Sequence, residues 1–464
     1  MDYSLKDFGA VGDSKTLDTL AIQEAINVAH AAGGGRVVVP ASRTYLSGSF
    51  ELKENVELHL EAGSTILASS NYVDYTHNIS ELTSGKVNES VLPQRAFIVG
   101  YLAHNSSITG AGTISGNADE FILERGQYIH TMRAPEDGRS QYLERPFTVF
   151  MIESNNHVMK DFTLVDPAFW AIRTTGCNDL EITGIKILTD LMVPNADGID
   201  IDRCQRVSIT NCDLVTADDC ISLKSCAGTS SYGDVSDVII ENCRMVSTSG
   251  AITLGTESVG DIKRVRVSNC VVERSHRGFA VRAREGGTIS DVVFENSRVS
   301  TRAFSPMWWG HGEALHVTAF AWSDEGFLGD GNVERLLEGK VENITFQNLE
   351  VDSEAGILNW AAREGLVRNI TYKNIQLSIG SRSKWPHRID LRPNDIEPFV
   401  ERPHNAFEAV NVSGLVIDGL EIKWDSASRD SYGEAVFTFN TASYSQLDVT
   451  ETLVDSASRG TLEN

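Results

Sequence analysis

The chain has 464 residues, with 64 acidic and 40 basic side chains and a net charge of −24 at pH 7. This charge disfavours nucleic acid and anionic membrane surfaces as partners, so any anionic ligand has to find local cations. No apolar run approaches the roughly 20 residues that span a bilayer, and residues 1–6 lack the charged-then-apolar start of a secretory signal. We therefore expect a cytoplasmic protein, or a secreted one if a signal has been removed.

The first predicted element is an amphipathic helix over residues 18–32. Apolar residues recur there at helical spacing, capping residues begin the segment, and the glycines at 33–35 end it. The end of a stack of strands exposes unpaired backbone groups that must be covered. We therefore expect this helix to cap the first coil of such a stack.

Internal repeats dominate the rest of the chain. Segments 207–212, 238–243, 265–270 and 292–297 share one template of alternating β-branched residues, spaced by 31, 27 and 27 residues. This period, without helical periodicity, predicts a solenoid of strands with about ten coils and three parallel sheets as its sides. The Asn that recurs in the template tolerates left-handed backbone and predicts an asparagine ladder at a corner. No linker divides the chain, so we expect one domain over residues 1–464.

The cysteines support the same repeat. Cys212, Cys243 and Cys270 each follow an Asn at an equivalent position, which predicts buried thiols stacked in a column. The sequence has no CxxC spacing that would suggest a zinc site.

Three acids lie in neighbouring repeats, with Asp197 in the first and Asp218 and Asp219 in the next. Aligning segments 198–202, 220–224, 251–255 and 280–284 leaves apolar residues at the second and fourth places, facing the core. The places between them then form two outward columns, and a third lies at the strand entrances: Asp200/Ser222/Thr253/Arg282, Asp202/Lys224/Gly255/Arg284 and Asp197/Asp219/Gly250. The alignment predicts a single solvent-facing site.

On these motifs the chain resembles glycoside hydrolase family 28, the polygalacturonase-like branch of the pectate-lyase-type right-handed β-helices. The matching segments are residues 8–13, the Asn-x-Asp-Gly motif at 195–198, the Asp218-Asp219 pair and Arg282-Ala283-Arg284, which is similar to the family's Arg-Ile-Lys motif. The resemblance implies an all-β, single-stranded right-handed parallel β-helix. One element departs from the pattern, because Gly250 stands where the family has a histidine.

The resemblance implies a glycosidase that needs no cofactor and no metal. Hydrolysis requires one carboxyl to protonate the departing oxygen and one carboxylate to activate water, and a separation of about 6.5–9.5 Å between them leads to inversion. Three acids packed together cannot all ionise freely, so one should stay protonated near neutral pH. By resemblance, Asp218 is the general acid, while Asp197 and Asp219 position and deprotonate the water.

Candidate substrate-binding residues surround the acids. The planar forks of Arg282 and Arg284 suit a uronate carboxylate, although surface bridges to Asp200 and Asp202 are an alternative. The other candidates are Asn195, Trp170, Trp308, Trp309 and His311. The tryptophans offer faces to a sugar ring, with packing onto the β-helix as the alternative.

Residues 300–340 are predicted to be an inserted loop that forms a wall beside the groove. His311 and His316 superficially suggest metal ligands, but nothing fixes a geometry and a structural role is preferred. His276 is a candidate for the imidazole that Gly250 lacks.

The expected substrate is an acidic, pectin-derived poly- or oligosaccharide, attacked from the chain end because the insertion could close the groove. Rhamnogalacturonan or another uronate glycoside is an alternative within hydrolases. A calcium-dependent polysaccharide lyase and a non-catalytic carbohydrate-binding β-helix remain as alternatives from other classes. The oligomeric state stays open.

Overall fold

The computed structural model describes residues 1–89, 92–122, 144–304, 310–321, 337–392 and 399–455. It divides into two compact units, Met1–Cys243 and Arg244–Asn464. Nearly all regular structure in the described residues is β-strand, which confirms the predicted all-β class. The single domain over residues 1–464 stays a prediction. No helix among the described residues is long and apolar enough to cross a membrane.

In the first unit the chain visits three sides in turn, and the strands of each side pair in parallel with those of the next coil. One side, the site sheet, consists of Phe50–Glu51, Ala96–Tyr101, Phe147–Ile152, Ile172–Thr175, Ile199–Asp202 and Ile221–Ser225. A second consists of Asp2–Ser4, Gly35–Val39, Val56–Leu60, Ser107–Gly110, Val158–Lys160, Asn178–Thr183, Gln205–Thr210 and Val235–Glu241. The third consists of Asp13–Leu17, Thr44–Ser47, Thr65–Ala68, Thr113–Ser115, Thr163–Val165, Lys186–Leu188 and Asp213–Thr216. Crossovers between parallel strands are right-handed, so this is the predicted right-handed parallel β-helix.

The second unit repeats the pattern with longer strands. One parallel sheet consists of Gly250–Ser258, Arg277–Ala283, Leu315–Ala319, Ile357–Ala361, Phe407–Val410 and Val436–Phe439. The remaining parallel strands are Arg244–Ser247, Ile262–Ser268, Val271–Ser275, Thr288–Thr301, Lys340–Ser353, Val367–Ile379, Val412–Asp425 and Ser445–Val454. A short antiparallel pair, Ile389–Asp390 with Phe399–Val400, lies within a loop.

Few helices accompany the strands in the described ranges. The α-helices are Thr19–Ala31 and Ile79–Leu82, and the 3₁₀ helices are Leu5–Phe8, Tyr72–Asp74, Ala118–Glu120, Ala227–Tyr232 and Arg429–Ser431. The first of these α-helices is the predicted cap. Its Gln23 side chain accepts a hydrogen bond from the Glu51 N–H (2.7 Å) and donates one to the Glu51 carbonyl (3.1 Å). The helix thereby satisfies backbone groups at the edge of the site sheet.

The interior consists of stacked apolar residues from successive coils. In the first unit, Ile182, Ile209 and Ile240 pair in register and are fully buried. In the second unit, the rings of Phe294 and Phe346 stack with centroids 4.9 Å apart. This alternation of buried and outward positions is what the β-branched template predicts.

The recurrent asparagines occupy left-handed corners, as predicted. Asn211 and Asn242 both have φ near +56°, a region that Asn tolerates better than most residues. The ladder itself is present in the second unit, where Asn348 donates from its amide to Asn296 (3.0 Å) and Asn374 donates to Asn348 (2.9 Å). All seven cysteines are buried thiols.

The predicted strand register is partly confirmed. Asp200 lies opposite Ser222 and Asp202 lies opposite Lys224 in the site sheet, as expected. In the second unit Arg282 lies opposite Gly255 rather than Thr253, so the predicted alignment there is wrong by two residues. A shift of two keeps every side chain on the same face, and the alternating pattern therefore could not detect it.

Candidate active site

The backbone brings the entrances of two adjacent strands of the site sheet together. Gly198 donates its N–H to the carbonyl of Asp219, and Ile199 donates to that of Cys220, both at 2.9 Å. A side chain at Gly198 would place its Cβ only 2.4 Å from the Cys220 carbonyl oxygen, so this close approach requires glycine. Asp197 therefore lies directly beside the Asp218-Asp219 pair.

The three carboxyl groups form one cluster. One oxygen from each of Asp197, Asp218 and Asp219 lies within 4.8 Å of the corresponding oxygens of the other two. Their exposed fractions are 4%, 7% and 9%, so the cluster is largely shielded from water. One Asp218 oxygen accepts the N–H of Asp219 (2.9 Å), while Oδ1 of Asp197 has no hydrogen-bond partner among the described residues.

Burial and like charge oppose the ionisation of Asp197 in this cluster. Burial raises the pKa of Asp197 well above its usual range, and the negative charges of Asp218 and Asp200 raise it further. Only the ammonium of Lys224 opposes this shift among its main causes. Burial and like charge therefore both favour the protonated form of Asp197, as expected for crowded acids.

A lysine and a further acid lie beside the cluster. The Asp200 carboxylate accepts the Ser222 hydroxyl (2.7 Å) and lies 3.7 Å from the Lys224 ammonium. Burial raises the pKa of Asp200 to about 7, and Lys224 and the Ser222 hydrogen bond both counteract it. The same ammonium lies 4.6 Å from the centre of the Trp170 ring. Lys224 thus lies between the acids and the Trp170 ring.

Asp202 lies on the predicted outward face of its strand but is not the solvent-exposed acid that the strand pattern predicted. It is fully buried and binds the Arg173 guanidinium at 2.8 Å, and that guanidinium also binds Glu89 at 2.6 Å. Cys226 donates its N–H to Asp202 (3.0 Å). Lys224 pairs with Asp200 instead, although it is opposite Asp202 in register. Asp200 is also fully buried, so the expectation that these columns are open to solvent is wrong. Neighbouring polar side chains cover both acids.

Two other predicted binding residues have defined surroundings in the first unit. Asn195 has left-handed backbone (φ 56°), and its side-chain carbonyl accepts a hydrogen bond from the Arg145 guanidinium (3.1 Å). Trp170 stacks on Phe169, with ring centroids 5.4 Å apart. It is 4% exposed, so little of the indole is available as an open platform.

The predicted arginines of the second unit are more buried than an outward column implies. Arg282 is 5% exposed and donates to the Arg392 carbonyl at 2.5 Å. Arg284 is fully buried, donates to the Thr318 hydroxyl (2.9 Å) and lies against the Phe320 ring. Their proposed role as uronate ligands stays a prediction.

The histidines of the second unit have structural contacts. One nitrogen of His311 lies 2.7 Å from the Pro386 carbonyl, and His316 lies 3.1 Å from the Thr318 hydroxyl. His276 contacts the Thr248 carbonyl (3.1 Å), and burial lowers its pKa to about 3. Trp308 and Trp309 lie outside the described residues, as does about half of the predicted wall over residues 300–340. The described part of that segment includes the sheet strand Leu315–Ala319, so the prediction of one continuous inserted loop is wrong there.

Within the part of the chain that the structure describes, two groups of side chains have the composition of metal ligands. One is the acid cluster itself, whose three carboxylates would suit a hard cation. The other consists of Glu89, Asp202 and Cys226, but the Arg173 guanidinium already pairs with both of its carboxylates.

The sequence did not identify every residue of the site. The strand pattern predicted the position of Lys224 in the sheet but did not indicate that it belongs to the site. Glu89 and Arg145 come from segments that no local motif marks.

The fold and the site define a right-handed parallel β-helix protein with a buried carboxylate cluster. Residues 36–307, more than half of the chain, match the family described as Glycosyl hydrolases family 28. The chain belongs to this family, which confirms the resemblance drawn from its motifs.

Relatives and solved structures agree with this membership. A probable polygalacturonase of Vitis vinifera is 30% identical over 312 residues, which cover 64% of this chain and 60% of that protein. The chain is similar in structure to a hyperthermoactive exopolygalacturonase from Thermotoga maritima, with a TM-score of 0.66 and 20% identity over 82% of this chain and 87% of that one. It is also similar to a Yersinia enterocolitica family 28 exopolygalacturonase, with a TM-score of 0.61 and 19% identity over 98% and 78% of the two chains. At these identities the structural likeness shows the fold.

Proposed function

We propose that this protein hydrolyses glycosidic bonds in galacturonate-containing, pectin-derived poly- or oligosaccharides. One observation carries the proposal: Asp197, Asp218 and Asp219 place a carboxylate oxygen each within 4.8 Å of the others in a pocket that buries all three. Family membership supports glycoside hydrolysis, and the Vitis relative and the two structural neighbours are named polygalacturonases.

The chemistry divides between the acids. Asp218 donates a proton to the departing glycosidic oxygen, while Asp197 and Asp219 hold the attacking water and take up its proton. The number of protons in the cluster is then the same before and after the reaction. The raised pKa of Asp197 supports a resident proton in this group, and its closeness to the other two acids allows that proton to redistribute when substrate binds. Positioned acids and bases of this kind contribute about 10²–10⁴-fold to rate.

The spacing of the acids bears on stereochemistry. The nearest oxygens of the three carboxyls lie within 4.8 Å, which is shorter than the separation of about 6.5–9.5 Å expected between the acid and base of an inverting pair. That expectation concerns two carboxyls, whereas here two acids can hold one water while a third protonates the leaving group. We propose inversion from this division of roles among three acids, because the distance alone is nearer the separation of about 5–5.5 Å found in retaining pairs. NMR of the first anomer released should show the configuration opposite to that of the substrate.

We also propose that cleavage starts from the chain end. The two structural neighbours named exopolygalacturonases support this mode of action. An enzyme of this kind releases short products from the first turnovers onwards. A random ladder of intermediate lengths in the early time course would mean internal cleavage.

The test is incubation with defined oligogalacturonates, with rhamnogalacturonan fragments in parallel, followed by chromatography and ultraviolet spectroscopy. Hydrolysis gives saturated products with a new reducing end, whereas a lyase gives an unsaturated uronate that absorbs ultraviolet light. If only the rhamnogalacturonan fragments are cleaved, rhamnogalacturonan replaces oligogalacturonate as the proposed substrate. Gly250, at the position of the family's histidine, is the reason for including these fragments. Ultraviolet-absorbing products that depend on calcium would refute hydrolysis.

A further inference from the structure

The second unit contains a cavity that is not part of the acid chemistry. It is a shallow depression that is widely open to solvent, with a volume of about 520 Å³, within the range of about 300–1,000 Å³ typical of small-molecule sites. The residues that line it, here called the Trp385 cavity, are Ser381, Trp385, Pro386, His387, Glu401, Arg402, Pro403 and Ser431. An indole surrounded by hydroxyl, imidazole and charged groups is a composition that suits a sugar more than a purely apolar ligand.

The indole of Trp385 is held in place while remaining partly exposed. Its ring N–H donates to the Phe304 carbonyl (3.0 Å), and its backbone N–H donates to the Ser383 hydroxyl (3.2 Å). The next residue, Pro386, is tied to His311 at 2.7 Å. With its polar atom satisfied, the ring offers the cavity an apolar surface of fixed orientation.

A buried acid organises the loop that carries this indole. Glu354 is almost fully buried, and one of its carboxylate oxygens accepts the N–H groups of Arg382 (2.9 Å) and Ser383 (2.7 Å) and the Ser383 hydroxyl (2.8 Å). Its other oxygen accepts the N–H of Ala303 (2.8 Å). The loop is therefore ordered before any ligand arrives, which lowers the entropic cost of binding.

The polar wall of the cavity has little excess charge. The Arg402 guanidinium is ion-paired with the buried carboxylate of Glu408 and lies 5.4 Å from the Phe437 ring centre. Burial lowers the pKa of His387, so its imidazole is neutral near pH 7. The Nδ1 atom of that ring is buried and has no hydrogen-bond partner among the described residues. Glu401 and the Lys384 ammonium, which lies 4.8 Å from the Trp385 ring centre, are opposite charges beside the cavity, so the wall has no clear excess of either sign.

We propose that the Trp385 cavity binds a neutral pyranoside. One apolar face of the sugar ring packs on Trp385, and its hydroxyls bond to His387, Glu401 and the serines of the wall. The neutral ligand distinguishes this cavity from the proposed acid-cluster substrate, which is a uronate chain. This inference does not depend on the function of the acid cluster, because every residue that lines the cavity belongs to the second unit.

The test is saturation-transfer NMR on the full-length Asp218→Asn protein, with methyl β-D-galactopyranoside, methyl β-D-glucopyranoside and methyl α-D-galactopyranosiduronate as probes. At least one neutral glycoside should bind, and Trp385→Ala should weaken it about tenfold, the loss expected for an aromatic contact. Glu434→Gln, an exposed acid outside the cavity, should leave binding unchanged. If Trp385→Ala fails to fold, Glu401→Gln replaces it, with weaker binding expected.

Two outcomes would overturn the inference. One is that neither neutral glycoside binds, and the other is that binding survives both Trp385→Ala and Glu401→Gln. Stronger binding of the uronate glycoside at the same residues would also contradict the neutral assignment. Turnover of oligogalacturonates by the protein with Asp218 intact reports separately on the proposed function.

Discussion

Lys224 is a basic residue that directly affects the pKa values of the acid cluster and of Asp200. The residue is 5% exposed, yet its ammonium lies 3.7 Å from Asp200 and 4.6 Å from the Trp170 ring centre. A buried ammonium needs such partners because desolvation penalises its charge. In return, it lowers the pKa of both Asp197 and Asp200, which burial raises. We regard it as a positioning residue that sets the protonation of the cluster.

Replacing this lysine should move the pH dependence of the enzyme. In Lys224→Met the cation is lost, so the pKa values of Asp197 and Asp200 rise. The acid cluster then needs a higher pH to form its catalytic base, and it also keeps its catalytic proton to a higher pH. The profile of kcat/KM against pH should therefore shift upward by about one unit. Lys224→Arg should restore the original profile, and Lys160→Met, at an exposed position, serves as the control. A lower rate with unchanged midpoints would mean a purely structural role.

Individual site residues were predictable only where a local motif marked them. The cluster of Asp197, Asp218 and Asp219 follows from strand register, because adjacent parallel strands have a fixed spacing. Glu89 and Arg145 reach the site from distant segments, and no periodicity encodes that distance. Burial of Asp200 also escaped the pattern, which reports the face of a strand but not what covers that face.

At the scale of elements, the N-terminal helix stabilises the first coil through a specific pair of hydrogen bonds. Gln23 serves both the N–H and the carbonyl of Glu51, so Gln23→Ala leaves two backbone groups without these partners. We expect the free energy of unfolding to fall by about 1–3 kcal/mol. Urea denaturation measures this change, and Glu24→Ala on the exposed face of the same helix is the matched control. Equal stability of the two variants would show that the cap acts through apolar packing alone.

The elements themselves were predictable because their signals are local. The repeat template predicted the strands and their asparagine corners, and the helix predicted at 18–32 is observed as Thr19–Ala31. The two-residue error at Arg282 shows the limit of this approach, since period-two alternation cannot distinguish registers that differ by two. The repeat pattern also gave no indication that the strands of the second unit are longer than those of the first.

For the whole molecule, the net charge of −24 should govern the approach of an acidic substrate. Charges beyond a screening distance of about 8–10 Å are attenuated at physiological salt, so repulsion between protein and glycan is strongest at low ionic strength. The KM for oligogalacturonates should therefore fall as salt rises from about 10 mM to about 150 mM. Methyl-esterified oligomers of the same length are the control and should show little change. A rise in KM with salt would indicate that local cations dominate the encounter.

The most direct measurement is the turnover of a defined oligogalacturonate by the unaltered protein, Asp218→Asn and Asp161→Asn. The last variant replaces an exposed acid at a left-handed position that Asn also tolerates. We predict that Asp218→Asn loses at least about 100-fold in kcat, because a positioned proton donor is removed while the fold is kept. Asp161→Asn should retain full activity. Equal turnover by all three proteins would contradict the assignment of hydrolysis to the acid cluster.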